Sequence, residues 1–235
     1  MSLRPVSAVV FDLDGTLCYY GVSVAEAIGE SLRRAGEPHD RLGDLDVAAE
    51  RFDALWGEVE PEDGSVRALQ EGMWACLLAE HGITDLPFAR RCASIYVQIR
   101  SPSITLFDGA RELLLELRQT YRVGLLTNGP SDMQWPKIEW LEIASLFDTI
   151  VVAGDVGIHK PDGRVFEILL ELLKVTAQEA VYVGNSMPID IVGAKGVGMQ
   201  AVWVNGRDAH APAEAPTAVP DAELASVDAL QEVLP

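Results

Sequence analysis

Hydrophobic texture changes twice along the chain. Residues 8–11, Ala-Val-Val-Phe, form a compact apolar run rich in β-branched and aromatic side chains, which predicts a buried strand. Beyond residue 21 the apolar positions recur at helical spacing. Val24, Ala27, Ile28, Ser31 and Leu32 share one face of a helix predicted over 22–35, which stops at Gly36 and Pro38. The stretch 44–59 carries Leu45, Ala48, Phe52, Leu55, Trp56 and Val59 at the same period. The stretch 65–81 carries Val66, Leu69, Met73, Cys76 and Leu77, with Gly82 as its stop, and 86–99 carries Phe88, Cys92, Ile95, Tyr96 and Ile99. Four amphipathic helices with no strand between them predict a small helical bundle, with Phe52, Trp56, Trp74 and Tyr96 in its core.

From residue 104 the texture changes again. Short apolar runs at 123–126, 150–153, 180–183 and 200–204 predict strands. Between them lie predicted helices: 108–118 with Asp108 as N-cap, one through 137–141, 161–173 with Pro161 near its first turn, and 191–195. This alternation calls for an α/β fold with a parallel sheet covered on both faces, and the strand at 8–11 belongs to it. The expected domains are therefore 1–17 with 104–235, and an inserted helical domain over 18–103. An Ala- and Pro-rich stretch at 208–220 reads as an extended tail, and 224–234 as a last short helix. No internal repeat is present.

Composition narrows the function. The chain has 235 residues, 49% of them apolar, enough for a real core and against disorder. Its 36 acidic and 18 basic residues leave a net charge of −18. Such a surface repels nucleic acid and anionic membrane, and neither is expected as a partner. An anionic substrate needs a local basic patch against that field. No apolar run approaches the ~20 residues of a membrane span, and the N-terminal run is too short for a signal peptide. Cys18, Cys76 and Cys92 are far apart and form no Cys-x-x-Cys, which points to reduced thiols in a cytoplasm. Cys18 reads as a small buried hydrophobe. The oligomeric state is open between monomer and dimer.

The candidate chemistry starts where the first strand ends, at Asp12-Leu13-Asp14-Gly15-Thr16. Side chains in extended chain alternate, so Asp12 and Asp14 point the same way. Gly15 permits a sharp exit. Two close carboxylates repel unless a cation sits between them or one stays protonated. The pair is a cation site, a nucleophile with an acid–base partner, or a capping turn. Further on, Thr127-Asn128-Gly129 follows a strand and offers a hydroxyl and backbone amides to phosphate oxygens, or is an ordinary turn. Lys160, one of four lysines, precedes a helix and can neutralise an anion there. His159 is a proton shuttle or a solvated turn residue. Gly184-Asn185 and Asp190 follow another strand, where Asn185 and Asp190 can ligate a hard cation, or Asp190 caps a helix. Arg100 is a specificity contact or a linker arginine.

The order of these sites, acid pair, hydroxyl, lysine and Gly-led acidic loop, resembles the four motifs of the haloacid dehalogenase superfamily. The resemblance implies a Rossmann-like core with an all-helical cap inserted after the first motif. It implies Asp12 as nucleophile, Asp14 as general acid–base, Thr127 and amides near Asn128 as phosphoryl binders, and Lys160 as charge neutraliser. It also implies Mg²⁺ held by Asp12, the Asp14 carbonyl, Asn185 and Asp190, and a small phosphorylated substrate. Asp14 and Thr16 speak for phosphatases over dehalogenases. Thr127-Asn128-Gly129, Gln134, Lys137-Ile138-Glu139 and Phe147-Asp148 are similar to N-acylneuraminate-9-phosphatases and pyrimidine 5′-nucleotidases, and phosphoglycolate phosphatases are somewhat less so. One departure stands out: the fourth motif usually begins Gly-Asp, and here it is Gly184-Asn185. The missing charge leaves a second reading open, a weak or non-catalytic phosphate-binding regulator.

Overall fold

The computed structural model describes residues 3–60, 64–206 and 218–235. In chain order its strands and α-helices are β1 (Ala8–Phe11), β2 (Cys18–Tyr20), α1 (Val24–Ala35), α2 (Leu45–Ala54), α3 (Val66–Glu80), α4 (Leu86–Arg100), β3 (Ile104–Leu106) and α5 (Ala110–Leu117). They continue as β4 (Arg122–Thr127), α6 (Ser131–Trp140), β5 (Thr149–Val152), α7 (Ala153–Val156), α8 (Gly163–Leu173), β6 (Ala180–Gly184), α9 (Val192–Gly196), β7 (Gln200–Val204) and β8 (Ala222–Leu224). The chain divides into two compact units, Met1–Tyr19 with Thr105–Pro235, and Tyr20–Ile104.

In the first unit, the described strands form a six-stranded sheet ordered β5-β4-β1-β6-β7-β8, with each neighbouring pair parallel. β1 is central and all its side chains are buried, as a strand covered on both faces requires. The chain places β4 and β5 on one side of β1, then returns to build β6, β7 and β8 on the other. That reversal opens a crevice beyond the carboxyl ends of β1, β4 and β6. One face of the sheet packs on α8 and α9 through Val165, Phe166, Leu169, Leu173 and Ala194.

The second unit is helical. Ser23, Asp44, Ser65 and Asp85 cap α1 to α4, each side-chain oxygen accepting from a first-turn amide. Such caps contribute about 1 kcal/mol each. Phe52, Trp74 and Tyr96 meet in its core with ring centroids 5.1–6.1 Å apart, whereas Trp56, also expected there, is exposed. Edge-on aromatic contacts of this kind add to the area they bury. Arg100 lies 4.0 Å over the Tyr20 ring and donates to the Val22 carbonyl, so its guanidinium is spent within this unit.

Four local expectations are corrected. The N-cap of α5 is Gly109, in the left-handed region at φ 76°, and Asp108 does not fill that position. The helix after Lys160 begins at Gly163 with Asp162 as its cap, so Pro161 lies outside it. The helix expected over 44–59 ends at Ala54 in a tighter turn, Leu55–Gly57. Around residue 224 the chain adds the edge strand β8 and then a 3₁₀ segment, Val227–Glu232. A three-residue strand has no period to read, and only its neighbour β7 defines it. Of the tail expected over 208–220, residues 208–217 lie outside the described residues.

Candidate active site

Asp12 follows β1 directly and is anchored by its amide, which donates to the Val183 carbonyl at 2.9 Å. Gly15, at φ 79°, turns the chain away, as its lack of a Cβ allows. Thr16 donates its hydroxyl to Asp12 Oδ2 at 3.0 Å, and the same hydroxyl lies 3.4 Å from Asn185 Oδ1. Asp12 and Thr16 are both buried.

Lys160 comes from the loop between α7 and α8. Its ammonium donates to Asp12 Oδ1 at 2.7 Å, Asp190 Oδ1 at 2.7 Å and Tyr182 Oη at 2.8 Å. Three acceptors thus take the three hydrogens of a buried ammonium. Tyr182, on β6, in turn donates to the Leu126 carbonyl at 3.0 Å. Asn128 holds the lysine's backbone from both sides: Lys160 N donates to Asn128 Oδ1 at 2.8 Å, and Asn128 Nδ2 donates to Lys160 O at 3.0 Å. The Asn128 side chain therefore serves the lysine. Asp190 Oδ2 accepts from Ser186 N at 2.9 Å, and Asp190 caps no helix.

Electrostatics follow from this burial. Burial pushes the Asp12 carboxyl up to about 6, and Lys160 only partly offsets that rise. Burial also works against the charge on Lys160, but the carboxylates of Asp12 and Asp190 outweigh it and hold the ammonium above its ordinary value. The Tyr182 hydroxyl is raised by burial and by the same two acids.

Asp14 sits apart from this cluster and has its own cation. Lys137, on α6, donates to both carboxylate oxygens at 2.9 Å. Gln134 Nε2 lies 2.9 Å from Asp14 Oδ2 and 2.9 Å from Thr127 Oγ1, and also reaches the Asn128 carbonyl. Thr127 lies buried at the end of β4. The structure thus draws Asp12, Asp14, Thr127, Asn128, Lys160, Asn185 and Asp190 to one edge of the sheet. His159 is exposed, and Cys18 is buried with its thiol 3.6 Å from the Leu13 carbonyl. Three residues of the cluster were not foreseen there. Tyr182 reads in sequence as an ordinary strand residue, while Gln134 and Lys137 entered only through the resemblance to phosphatases, with Lys137 on a helix and neither given a role.

The oxygen donors suit a hard cation. Asp12 Oδ2 and Asn185 Oδ1 flank one hydroxyl, and Mg²⁺ typically takes one or two carboxylates and keeps several waters. No group of three or more His, Cys, Asp or Glu residues stands in a metal-holding arrangement among the described residues. Nor is any described helix long and apolar enough to cross a membrane.

The chain is similar to several known proteins. Over 210 residues the chain is 28% identical to N-acylneuraminate-9-phosphatase of Homo sapiens, covering 87% of this chain and 85% of that one. Over 124 residues it is 43% identical to glyceraldehyde 3-phosphate phosphatase of Pyrococcus abyssi, covering 51% of this chain and 52% of the relative. The chain thus spans about half the length of that second relative. A magnesium-bound HAD-hydrolase from Bacillus subtilis shares the fold at a TM-score of 0.75 and 22% identity, over 98% of this chain and 99% of that one. Residues 6–198 match the family model for haloacid dehalogenase-like hydrolases, and the chain belongs to that family.

Proposed function

We propose that this hydrolase is a Mg²⁺-dependent phosphomonoesterase. Its substrate is a small phosphorylated metabolite of the sugar-phosphate, nucleotide or phosphoglycolate class. The observation that carries the reading is the pairing of each carboxylate with its own ammonium: Asp12 with Lys160 at 2.7 Å and Asp14 with Lys137 at 2.9 Å. That the two matched relatives are phosphatases by name supports it.

In this mechanism an Asp12 carboxylate oxygen attacks phosphorus in line, and the phosphorus–ester oxygen bond breaks. Once substrate is bound and Asp14 carries a proton, Asp14 gives it to the departing oxygen, leaving an aspartyl phosphate on Asp12. Water then attacks that phosphorus and passes its proton to Asp14, which frees inorganic phosphate and restores both acids. Lys160 and the Thr127 hydroxyl face the phosphoryl oxygens as charge collects on them. Asp190 and Tyr182 keep the Lys160 ammonium aimed. Bound by Asp12, Asn185 and the Asp14 carbonyl, Mg²⁺ would supply further charge neutralisation at the phosphoryl group. Asp190 serves the cation site mainly through Lys160. The absence of a disulfide among the described cysteines suits a cytoplasmic setting.

Phosphate release from p-nitrophenyl phosphate and a panel of sugar phosphates, nucleotides and 2-phosphoglycolate tests the reading. The wild type turns over members of the panel with Mg²⁺, and Asp12→Asn does not. A wild type that binds phosphate esters and hydrolyses none would instead be a regulator, and metal-independent halide release would make it a dehalogenase.

A further inference from the structure

We infer that Gln134 and Lys137 of α6 are positioning residues that hold Asp14 where its proton meets the leaving group; the inference rests on the phosphatase reading above. Asp14 needs such support. It lies beyond the end of β1, just before the left-handed Gly15, and its side chain is 37% exposed. A carboxylate there, attached to a turning chain, is free to rotate into solvent.

The helix supplies the restraint. Gln134 and Lys137 are three residues apart on α6, a spacing that puts both on one face. Both are buried, while the carboxylate they grip is not. Lys137 donates to both Asp14 oxygens, which fixes the plane of the carboxylate as well as its position. Gln134 Nε2 shares its two hydrogens among Asp14 Oδ2, Thr127 Oγ1 and the Asn128 carbonyl, which sets the acid–base group beside the hydroxyl on β4. The proton donor and the phosphoryl-binding hydroxyl are thereby held by one amide.

Proximity arguments give the functional weight. A general acid must stay within hydrogen-bond reach of the oxygen it protonates, and a misplacement of about 1 Å can cost about 10²-fold. The cost falls on leaving groups that need the proton. Aryl phosphates differ in this need: p-nitrophenolate departs readily without protonation, whereas phenolate does not. A merely structural role for Lys137 predicts no such distinction.

The test compares p-nitrophenyl phosphate with phenyl phosphate, at saturating Mg²⁺, for the wild type, Lys137→Met and Gln134→Met. For Lys137→Met the expected result is a loss of roughly tenfold or more in kcat/KM on phenyl phosphate, with a loss several times smaller on p-nitrophenyl phosphate, because kcat/KM reports ester cleavage and not the later hydrolysis that both esters share. Gln134→Met shows the same selectivity to a smaller degree, and Lys137→Arg, which keeps the charge, regains part of the phenyl phosphate activity. Equal losses in kcat/KM on both esters in variants that melt like the wild type, or no loss on either, overturn the inference. If Lys137→Met does not fold by circular dichroism, Gln134→Met decides. A wild type inactive on both esters overturns the phosphatase reading itself, a different result from an active wild type with indifferent variants.

Discussion

At the scale of single residues, the role proposed for Asp12 sets two demands in conflict. It must be ionised to ligate a cation or attack phosphorus, yet burial raises its carboxyl to about 6. A raised acid keeps its proton until the pH passes that value, so Mg²⁺ competes with the proton below it. Mg²⁺ affinity is therefore expected to be flat above pH 7 and to weaken by about tenfold per unit well below pH 6, with proton release on binding. Calorimetric titration at pH 5 and pH 7.5 in two buffers of different ionisation enthalpy measures both. Asn185 tunes the same balance. Asn185→Asp adds a fourth acid to a cluster that now sets Asp12, Asp14 and Asp190 against Lys137 and Lys160. It should tighten Mg²⁺ binding by roughly tenfold, since ligand charge tunes affinity, and lower the melting temperature of the metal-free protein.

At the scale of elements, close packing around the loop after β6 leaves no room for a side chain. A Cβ on Gly184 would sit 2.5 Å from the Asp190 carboxyl carbon. Gly184→Ala must push Asp190 away from Lys160, costing about 1–3 kcal/mol and most of the activity. Thermal melts and phosphate release check the two parts separately. In the helical unit, burial raises the Cys92 thiol from 9.0 to about 12, and the Tyr96 hydroxyl from 10.0 to about 12. Folded values above the unfolded ones mean that this contribution to stability is complete below about pH 9 and lost as pH climbs toward 12. Cys92→Ala should be less stable than the wild type at pH 7 by about 1–2 kcal/mol, from lost packing, yet show a shallower decline above pH 9. Urea unfolding at pH 7 and pH 10 distinguishes the two effects.

At the scale of the whole molecule, the net charge of −18 opposes the approach of a phosphate ester. The screening length falls from about 30 Å at 0.01 M salt to about 8 Å at 0.15 M. With Mg²⁺ held saturating, kcat/KM should therefore rise about two- to threefold over that range, the reverse of a basic active-site surface. A fall with salt would show instead that local cations, Lys137 and Lys160, govern encounter.

Much of this molecule is written locally. The run at 8–11, the helical period of the four inserted helices, and the glycines at turns act through neighbours a few residues away, and so sequence reveals them. The order of acid pair, hydroxyl, lysine and Gly-led loop could likewise be read, because each follows an apolar run long enough to recognise. Other features depended on the order of strands in the sheet. Gln134 reaches Asp14 across 120 positions and Lys137 across 123, contacts that no local spacing encodes. Tyr182 lies under the Lys160 ammonium because β6 pairs with β1 in register, Val10 opposite Tyr182. Local chemistry determined which groups are available and where the chain turns. Only the folded sheet decided which ammonium each carboxylate meets, since a long-range ion pair forms only after the backbone brings its partners together.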